Sequence, residues 1–391
     1  MKSRRIYLDN ASTTPVDKGV FDVMKPHLTN ECGNPSSLHL EGRVAKKALE
    51  VARKKVTDVL GCEVGEVIFT SGGTEANNLA IFGIARASKK QGNHIITSKI
   101  EHKSVLDACK KLEEEGFEVT YLPVDNKGSV SVEDVMKNLR PETILVSIIY
   151  GNNEIGSIQP IKEISQVIKD CKICQPIFHT DACQAVGALN INIKDLGVDS
   201  LTFNGSKIYG PKGIGCLYLK KDTEIEPLMI GGSQERGFRA GTENVAGIVG
   251  LGQALLLAEK MRVKESKRLV TLRDYFINKI LKNIEGVIVN GNQKLRLPNN
   301  VNISIKGVEG ESLLLMMDEA GIACSTGSAC SATDLEPSYV LLAIGSSLEM
   351  AHCSIRFSLG RMTTKKDLDF VVKALEKCVC TIRRMSGFKK K

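Results

Sequence analysis

The sequence predicts an α/β protein with a mainly parallel sheet. Strand-like and helix-like segments alternate through most of the first part of the chain, which is the pattern that βαβ units produce. Residues 143–150 are rich in isoleucine and valine, as expected of a strand buried on both faces. Later in the chain the order of strands and helices changes, and this predicts a second, smaller α+β domain.

Hydrophobic periodicity places the individual elements. Residues 41–60, for example, carry Val44, Ala48, Val51 and Val59 at helical spacing. Strands are predicted at residues 6–9, 66–70, 94–98, 117–122, 143–150, 176–181, 199–203, 213–219, 286–290, 300–305 and 353–359. Helices are predicted at residues 17–28, 41–60, 76–87, 104–115, 131–139, 161–171, 245–284, 311–319, 337–345 and 365–384. We expect a large domain at residues 16–260 and a small domain formed by 1–15 and 261–391, which carries the loop 322–335.

Composition indicates a globular protein and excludes several other classes. Of the 391 residues, 42% are hydrophobic and 25% are charged, which is ordinary for a soluble globular chain. The net charge of +8 is scattered, except at Arg383-Arg384 and Lys389–Lys391. That tail indicates a solvated terminus or, alternatively, a contact with a scaffold or nucleic acid. Because no basic patch is interleaved with aromatic residues, direct nucleic-acid binding is not expected.

The chain shows no sign of export or of a membrane anchor. No apolar run reaches the length of a membrane span, and the basic residues 1–5 lead straight into Ile6-Tyr7-Leu8-Asp9-Asn10 without the apolar core of a signal peptide. We therefore expect a cytoplasmic protein whose twelve cysteines are mostly thiols. The pairs Cys171-x-x-Cys174 and Cys378-x-Cys380, in predicted helical segments, lack a second pair at zinc spacing, so no metal site is expected.

A lysine loop at residues 202–213 is the most informative stretch of the sequence. It runs from an apolar strand into a glycine-flanked loop that displays Lys207. A desolvated lysine amine can form a Schiff base with a carbonyl group. Pyridoxal 5′-phosphate (PLP) is the cofactor that most often needs such a lysine, together with an acid at its ring nitrogen and a phosphate site. Lys212, which follows a Gly-Pro turn, is the rival lysine.

The other parts of a PLP site follow predicted strands. The strand 66–70 leads into Ser71-Gly72-Gly73-Thr74-Glu75 and a helix, and such a helix start attracts phosphate. The alternative is an ordinary βα turn with Thr74 as the N-cap. His102, Asn153 and Asp181 also lie after strands, where ligands bind in open α/β sheets. His102 alone could equally be a surface histidine, but an acid, a lysine and a phosphate cradle together favour PLP.

A second loop, residues 323–331, surrounds Cys324 and Cys330 with small residues. Such a loop can leave its thiols accessible, and an accessible thiolate is a nucleophile when its pKa is lowered. The alternative for either cysteine is a small buried side chain that serves only packing. For Cys324 we prefer this packing role to that of a second sulfur relay.

These motifs resemble those of cysteine desulfurases of the NifS/IscS type, which belong to the aminotransferase class V group of fold-type I PLP enzymes. The resemblance covers nearly the whole chain, and the loop Arg239-Ala240-Gly241-Thr242-Glu243-Asn244 is closer to the NifS side. The other motifs that carry it are Tyr7-Leu8-Asp9-Asn10-Ala11-Ser12-Thr13-Thr14-Pro15, Thr70-Ser71-Gly72-Gly73-Thr74-Glu75, Glu101-His102-Lys103, Asn152-Asn153-Glu154-Ile155-Gly156, His179-Thr180-Asp181, Lys207-Ile208-Tyr209-Gly210-Pro211-Lys212-Gly213, Gly327-Ser328-Ala329-Cys330 and Leu335-Glu336-Pro337-Ser338-Tyr339.

The resemblance implies a homodimeric enzyme that converts L-cysteine to L-alanine. Lys207 would hold PLP and take the Cα proton of the substrate, Asp181 would keep the ring nitrogen protonated, and His102 would stack on the ring and move protons on the substrate thiol. Cys330 would attack the substrate sulfur and keep it as a persulfide. The implied binding residues are Gly73, Thr74, Asn153, Gln184, Asn204, Ser206 and, from the second subunit, Thr242 for PLP, and Asn34 and Arg356 for the substrate carboxylate.

The sequence departs from the family pattern beside the lysine. The family usually has Ser-Gly-His-Lys there, whereas this chain has Asn204-Gly205-Ser206-Lys207, so a hydroxyl remains but a possible positive charge is lost.

The resemblance implies a sulfur-acceptor protein such as an iron–sulfur scaffold of the IscU/NifU type, although the tail lacks the segment with which IscS-type members grip it. Rival functions are a selenocysteine lyase, another class V enzyme, or a non-catalytic sulfur-relay partner, which the intact Lys207, Asp181, His102 and Cys330 argue against.

Overall fold

The computed structural model describes residues 5–326 and 336–385, and those ranges contain twelve strands and twelve α-helices. The strands are β1 (Ile6–Tyr7), β2 (Val67–Thr70), β3 (His94–Ser98), β4 (Glu118–Leu122), β5 (Thr143–Ser147), β6 (Ile177–Asp181), β7 (Ser200–Asn204), β8 (Gly215–Leu219), β9 (Val287–Val289), β10 (Asn300–Ile305), β11 (Ile322–Ala323) and β12 (Ser354–Ser358). The helices are α1 (Lys18–Thr29), α2 (Leu40–Leu60), α3 (Gly73–Ala87), α4 (Lys103–Glu114), α5 (Val132–Asn138), α6 (Ile161–Asp170), α7 (Ile193–Leu196), α8 (Val245–Asn283), α9 (Gly310–Glu319), α10 (Tyr339–Ala343), α11 (Leu348–His352) and α12 (Lys365–Met385).

Seven strands form one mixed sheet in the order β2-β8-β7-β6-β5-β3-β4. Strand β8 runs antiparallel to both of its neighbours, and the remaining pairs are parallel. The predicted α/β class with a mainly parallel mixed sheet is therefore confirmed. Because six strands share one direction, the loops after β2, β3, β5, β6 and β7 all emerge at the same edge of the sheet, where ligands bind in such folds.

Helices cover both faces of this sheet. On one face, Phe178 and Phe203 of the sheet pack with Val56 of α2 and Leu251 of α8 in a single buried core. On the other face, strand residues such as Ile95 and Leu145 belong to a second core with α3 and α4. The strands are short and apolar, and they are buried by helices on both sides, as parallel sheets require.

A long helix connects the sheet to the rest of the chain. The first half of α8 contributes Leu251 and Leu255 to the core of the large sheet. Its second half contributes Phe276 and Ile280 to another core, in which the Phe276 ring meets Phe357 edge-on with centroids 5.3 Å apart. The division into domains at residue 260 falls inside this continuous helix and stays a prediction.

The core that contains Phe276 and Ile280 lies under a small antiparallel sheet of order β12-β10-β9. The first described residues join it, because β1 pairs in parallel with β11 and Leu8 is buried there. Helices α9 and α12 pack against each other and pass close to this sheet. This small α+β unit was predicted, and strand β12 is the element that delivers a side chain from it to the large sheet.

The helix expected at 337–345 is present as α10, which Ser338 caps by accepting a hydrogen bond from Leu341 N–H, and the separate helix α11 follows it. Gly345, with φ of 85°, lies between the two helices. One local prediction was wrong. Cys171 and Cys174 lie outside a helix, because α6 ends at Asp170. Across the described ranges, no helix combines the length and the apolar character needed to cross a bilayer.

Candidate active site

A cavity of about 1050 Å³ opens at the edge of the large sheet where the parallel strands end. Its wall includes side chains from the loops after β2, β3, β5, β6 and β7, and also Arg356 from β12 of the small sheet. Most of the predicted site residues therefore share one cavity: Gly73, Thr74, His102, Asn153, Asp181, Gln184, Asn204, Lys207 and Arg356.

The start of α3 forms one wall of this cavity. Gly72 precedes the helix without a side-chain cap, so the first N–H groups of α3 are not satisfied by an N-cap side chain. A Cβ atom on Gly73 would lie 2.7 Å from Sγ of Cys183 and 2.9 Å from Nδ2 of Asn204, so a larger residue there would force these side chains to move. Backbone N–H groups and the helix dipole together make this helix start suitable for a phosphate.

Asp181 stands at the end of β6 with its carboxylate buried and firmly oriented. Its Oδ1 accepts a hydrogen bond from Cys183 N–H at 2.9 Å, and its Oδ2 accepts one from Nδ2 of Asn77 at 2.7 Å. Only 4% of the residue is exposed. Both carboxylate oxygens of Asp181 are therefore held in place at the wall of the cavity.

His102 is the N-cap of α4, and its ring orientation follows from that position. Its Nδ1 accepts a hydrogen bond from Ser104 N–H at 3.1 Å and lies 2.8 Å from the Ser104 hydroxyl. Because Nδ1 is the acceptor, the neutral ring carries its proton on Nε2. The Ser104 hydroxyl in turn accepts from Asn77 at 2.8 Å. A continuous chain of hydrogen bonds thus links His102 through Ser104 and Asn77 to Asp181.

Lys207 projects from the short 3₁₀ turn that follows β7. Its Nζ donates a hydrogen bond to the carbonyl oxygen of Ser12. The rival Lys212 donates to the carbonyl oxygen of Thr14 at 3.2 Å and does not line the cavity. The geometry therefore separates the two lysines, since of the two only Lys207 shares a cavity with Asp181.

Arg356 reaches the cavity from β12 with 3% of the residue exposed. Its Nη1 donates to the carbonyl oxygen of Asn153 at 2.9 Å, and its Nη2 donates to Asp9 Oδ1 at 3.0 Å and to Ser12 Oγ at 2.9 Å. Its buried Nε–H has no hydrogen-bond partner within residues 5–326 and 336–385. The guanidinium is anchored to the protein by three of its five N–H groups, so donors that include Nε–H remain for a ligand, as a carboxylate-binding arginine requires.

Two buried glutamates beside the cavity were not anticipated from the sequence. Burial raises the pKa of Glu101 to about 8, against the opposing hydrogen bonds from Ser98 and from Ile149 N–H. Burial likewise raises the pKa of Glu154, a cavity residue, to about 7. The Ser338 hydroxyl donates to Glu154, which joins the loop after β5 to the segment before α10. In the sequence, Glu101 precedes His102 and Glu154 follows Asn153. This adjacency to predicted site residues is the signal that could have pointed to the two glutamates.

Three predicted residues lie elsewhere in this chain. Asn34 is exposed and uses its Oδ1 to accept from Ser36 N–H at 2.9 Å. Ser206 does not line the cavity, and its hydroxyl lies 3.4 Å from Oδ1 of Asn204. Thr242 lines a separate cavity of about 260 Å³, beside Arg239. The roles of all three stay predictions.

Of the two loop cysteines, Cys330 lies outside the described residues. Cys324 is buried with 8% exposed, and burial raises the pKa of its thiol to about 12. A thiol of that kind is a poor nucleophile at neutral pH. Its environment supports the packing role that we preferred for Cys324.

The residues around the cavity fit PLP. A carboxylate, a lysine and a helix start surround one volume, and the buried Oδ1 atom of Asn153 lacks a hydrogen-bond partner in the described part of the chain. An unpartnered buried polar atom at a cavity wall is expected where a polar ligand supplies the missing hydrogen bond. A metal is a poorer fit, because no group of three or more His, Cys, Asp or Glu side chains within the described ranges could hold one.

Known proteins resemble this chain over nearly its whole length. Residues 6–371 match the class-V aminotransferase family. The cysteine desulfurase IscS of Dictyoglomus turgidum is 53% identical over 386 residues, which cover 99% of this chain and 97% of that protein. A solved NifS-like protein superposes with a TM-score of 0.91 at 35% identity, covering 96% of this chain and 100% of its own. The structure of SspA in complex with cysteine has a TM-score of 0.79 at 37% identity, covering 90% of this chain and 98% of its own.

Enzymes of this family are PLP-dependent, and the cavity offers what that cofactor needs. The match extends across the large sheet, the long helix α8 and the small sheet that supplies Arg356. The chain belongs to the class-V aminotransferase family and, within it, to the cysteine desulfurases.

Proposed function

We propose that this PLP-dependent cysteine desulfurase transfers the sulfur of L-cysteine to Cys330 and releases L-alanine. The observation that carries the proposal is the convergence of Lys207, Asp181, His102 and Arg356 on a single cavity. A fixed carboxylate, an amine, an imidazole and a carboxylate-binding guanidinium are the groups that this reaction needs. Cysteine as the substrate is supported by SspA, a 37% identical protein whose structure was solved in complex with cysteine.

The cofactor would be held at both ends by residues of the cavity wall. Gly73 and Thr74, at the start of α3, would bind the phosphate together with Asn204, while Asp181 would pair with the ring nitrogen. Asn153 and Gln184 would contact the side of the ring that bears the hydroxyl. When bound, PLP supplies an electron sink for the charge that develops at Cα of the amino acid.

Each catalytic side chain would then carry out one defined task. Arg356 would hold the substrate carboxylate, and Lys207 would remove and return the proton at Cα. His102, with its proton on Nε2, would exchange a proton with the substrate thiol. The thiolate of Cys330 would form an S–S bond to the substrate sulfur while the S–Cβ bond breaks. The electron pair of that bond stays on Cβ, which takes up a proton and becomes the methyl group of alanine.

The position of Thr242 supports a homodimer. Thr242 lies in a cavity separate from that of Lys207, although the family resemblance assigns it to the PLP phosphate. A second subunit would reconcile the two facts by bringing its Thr242 to this active site. Ser206 and Asn34 would complete the phosphate and carboxylate contacts in that assembly.

The sulfur bound at Cys330 would pass to an acceptor protein. We propose a scaffold of the IscU/NifU type, which would use the sulfur for iron–sulfur clusters, or an acceptor that leads to thiolated molecules. The reaction would take place in the cytoplasm. The loop 322–335, on the proposed small domain (residues 1–15 and 261–391), would carry the persulfide from the cavity to the acceptor.

The test is to incubate the purified enzyme with L-cysteine and to quantify alanine and protein-bound persulfide. We expect equal amounts of both in a first turnover. Cys330→Ala should keep the visible absorbance of bound PLP but form no persulfide, whereas Cys324→Ala should behave like the wild type. Sulfur transfer that persists in Cys330→Ala would overturn the role of Cys330. Alanine release from selenocysteine but not from cysteine would establish a selenocysteine lyase instead.

A further inference from the structure

Two thiols lie side by side at the opposite end of strand β6 from Asp181. The sulfur atoms of Cys171 and Cys174 are 3.3 Å apart and share a hydrogen bond. A disulfide bond is about 2.05 Å long, so closing this pair requires a movement of little more than about 1 Å. Residues 171–176 form a connection between α6 and β6 that has no regular secondary structure. The connection can therefore adjust without breaking a helix or the sheet.

The two thiols have different environments. Cys171 is half-buried at the end of α6, and its neighbours Lys172 and Ile173 are exposed. Cys174 has 8% of its surface exposed and packs into the core beneath the large sheet. A small reagent in solution can therefore reach Cys171 more easily than Cys174. Such asymmetry is typical of a dithiol with one attacking and one resolving cysteine.

The two thiols also differ in pKa, and the more accessible one has the lower pKa. Burial opposes ionisation of Cys171, but the hydrogen bond from Cys174 and the backbone amides of Ile173 and Cys174 outweigh it, so its pKa is lowered. Burial, together with the hydrogen bond to Cys171 and the charge of Cys171, raises the pKa of Cys174 to about 12. Of the two thiols, the half-buried Cys171 therefore ionises more readily than the buried Cys174.

A metal site would be the other common use of a Cys-x-x-Cys pair. Zinc needs four ligands, and the described ranges contain no group of three or more His, Cys, Asp or Glu side chains that could hold a metal ion. The pair therefore has the geometry of a dithiol rather than that of a metal centre.

We propose that Cys171 and Cys174 form a redox-active dithiol that disulfides of small thiols oxidise to an intramolecular disulfide. The Cys171 thiolate attacks one sulfur of the small disulfide, whose S–S bond breaks as the first small thiolate leaves. Cys174 gives up its proton to that thiolate, and its sulfur attacks the Cys171 sulfur, whose bond to the second small sulfur breaks. The second small group leaves as a thiolate and takes a proton from water. Two protein thiols are oxidised and one small disulfide is reduced. This chemistry is independent of the proposed sulfur transfer through Cys330.

The position of the pair separates it from catalysis. Strand β6 begins at Ile177 and carries Asp181 at its far end, about 13 Å away at about 3.3 Å per residue, and Cys174 precedes the strand. Neither cysteine lines the cavity that contains Lys207. We therefore expect Cys171→Ser and Cys174→Ser to keep wild-type desulfurase activity.

The test uses PLP-loaded enzyme that carries Cys330→Ala, so that the proposed catalytic thiol does not contribute. The protein is treated with glutathione disulfide, alkylated and digested with trypsin without reduction. Lys172 lies between the two cysteines, so trypsin separates them unless they are linked. We expect the fragment Asp170–Lys172 to appear joined to the fragment that begins at Ile173, and to be released by reduction.

Single substitutions assign the two roles. Cys174→Ser should stop the reaction at a glutathione mixed disulfide on Cys171, and Cys171→Ser should leave Cys174 unmodified. Cys183 lies on the same tryptic fragment as Cys174, so Cys183→Ser is the matched control and should keep the linkage. The proposal fails if the Cys330→Ala enzyme with both Cys171 and Cys174 intact accumulates only the mixed disulfide, or if none of its fragments are joined. It also fails if adding Cys183→Ser abolishes the linkage.

Discussion

The side-chain amide of Asn77 donates a hydrogen bond to Oδ2 of Asp181 at 2.7 Å. The same nitrogen lies 2.8 Å from the Ser104 hydroxyl, which is 2.8 Å from Nδ1 of His102. One helical residue therefore holds both the carboxylate proposed to pair with the ring nitrogen and the hydroxyl that contacts His102. With 1% of Asn77 exposed, water cannot replace this donor without rearrangement.

Replacement of Asn77 by alanine should weaken PLP binding. The substitution removes a buried hydrogen bond to a charged group, worth about 1.5–3 kcal/mol, and so should lower the affinity for PLP about 10- to 100-fold. The measurement is the equilibrium binding of PLP to the apoenzyme, followed by visible absorbance. Asn78→Ala is the matched control, since Asn78 donates to the Ser104 carbonyl oxygen and not to Asp181. Equal losses in both variants would contradict a specific role for Asn77.

The two lysines of the loop after β7 should differ sharply on substitution. Lys207→Ala should lose the visible absorbance of lysine-bound PLP and at least about 100-fold in turnover, because a group that transfers protons contributes that much. Lys212→Ala should keep both properties, since Lys212 only donates to the Thr14 carbonyl oxygen. Absorbance spectra and alanine release distinguish the two. Loss of the PLP spectrum in Lys212→Ala alone would reverse the assignment.

The sequence predicted the sheet and the site residues that follow its strands. Short apolar segments between amphipathic helices specify a parallel sheet, and such a sheet brings its loops together at one edge. Asp181 and Lys207 could therefore be placed in one site without coordinates. Arg356 could be assigned only by resemblance, because it arrives from the small sheet and no local pattern relates it to β6.

Asn77 and Glu101 show what the sequence could not reveal. Asn77 lies within the apolar run of α3, where a buried amide cannot be told from a solvent-facing one by composition alone. The raised pKa of Glu101 depends on burial among distant segments, including Ile149 after β5.

Replacement of Arg356 by lysine should raise the KM for L-cysteine more than it lowers kcat. Lysine keeps the charge but loses the planar donor set, including the buried Nε–H, and the loss of one charged hydrogen bond corresponds to about 10- to 100-fold in KM. Steady-state kinetics at saturating PLP give both constants. The matched variant Arg361→Lys removes a guanidinium that pairs with Asp17 at 3.1 Å and should leave KM unchanged. A fall in kcat alone for Arg356→Lys would argue against carboxylate binding.

A mixed dimer should show whether Thr242 acts across subunits. If it does, a dimer of one Lys207→Ala and one Thr242→Ala subunit contains one site with both defects and one intact site, so it should keep about half of wild-type activity. Either homodimer alone should show the defect at both sites. The measurement is alanine release by differently tagged, co-purified subunits at limiting PLP. If activity stays at half that of the Thr242→Ala homodimer, Thr242 acts within its own subunit.

Glu101 should make the stability of the protein fall as the pH rises from mildly acidic to mildly alkaline. Burial raises its folded-state pKa from 4.5 to about 8, so the folded protein binds the proton more tightly than the unfolded chain does. The resulting stabilisation is fully present below the unfolded pKa and is lost as the pH rises towards the folded pKa, by up to about 1.4 kcal/mol per pH unit.

Glu101→Gln should remove this dependence, because glutamine keeps an acceptor for Ser98 and Ile149 N–H and does not titrate. The difference in urea midpoint between variant and wild type should therefore grow in favour of the variant between about pH 5 and pH 8. Glu142→Gln, at an exposed glutamate, is the matched control for the loss of one carboxylate. A difference for Glu101→Gln that stays constant with pH would show that Glu101 ionises in the folded protein as readily as in the unfolded chain.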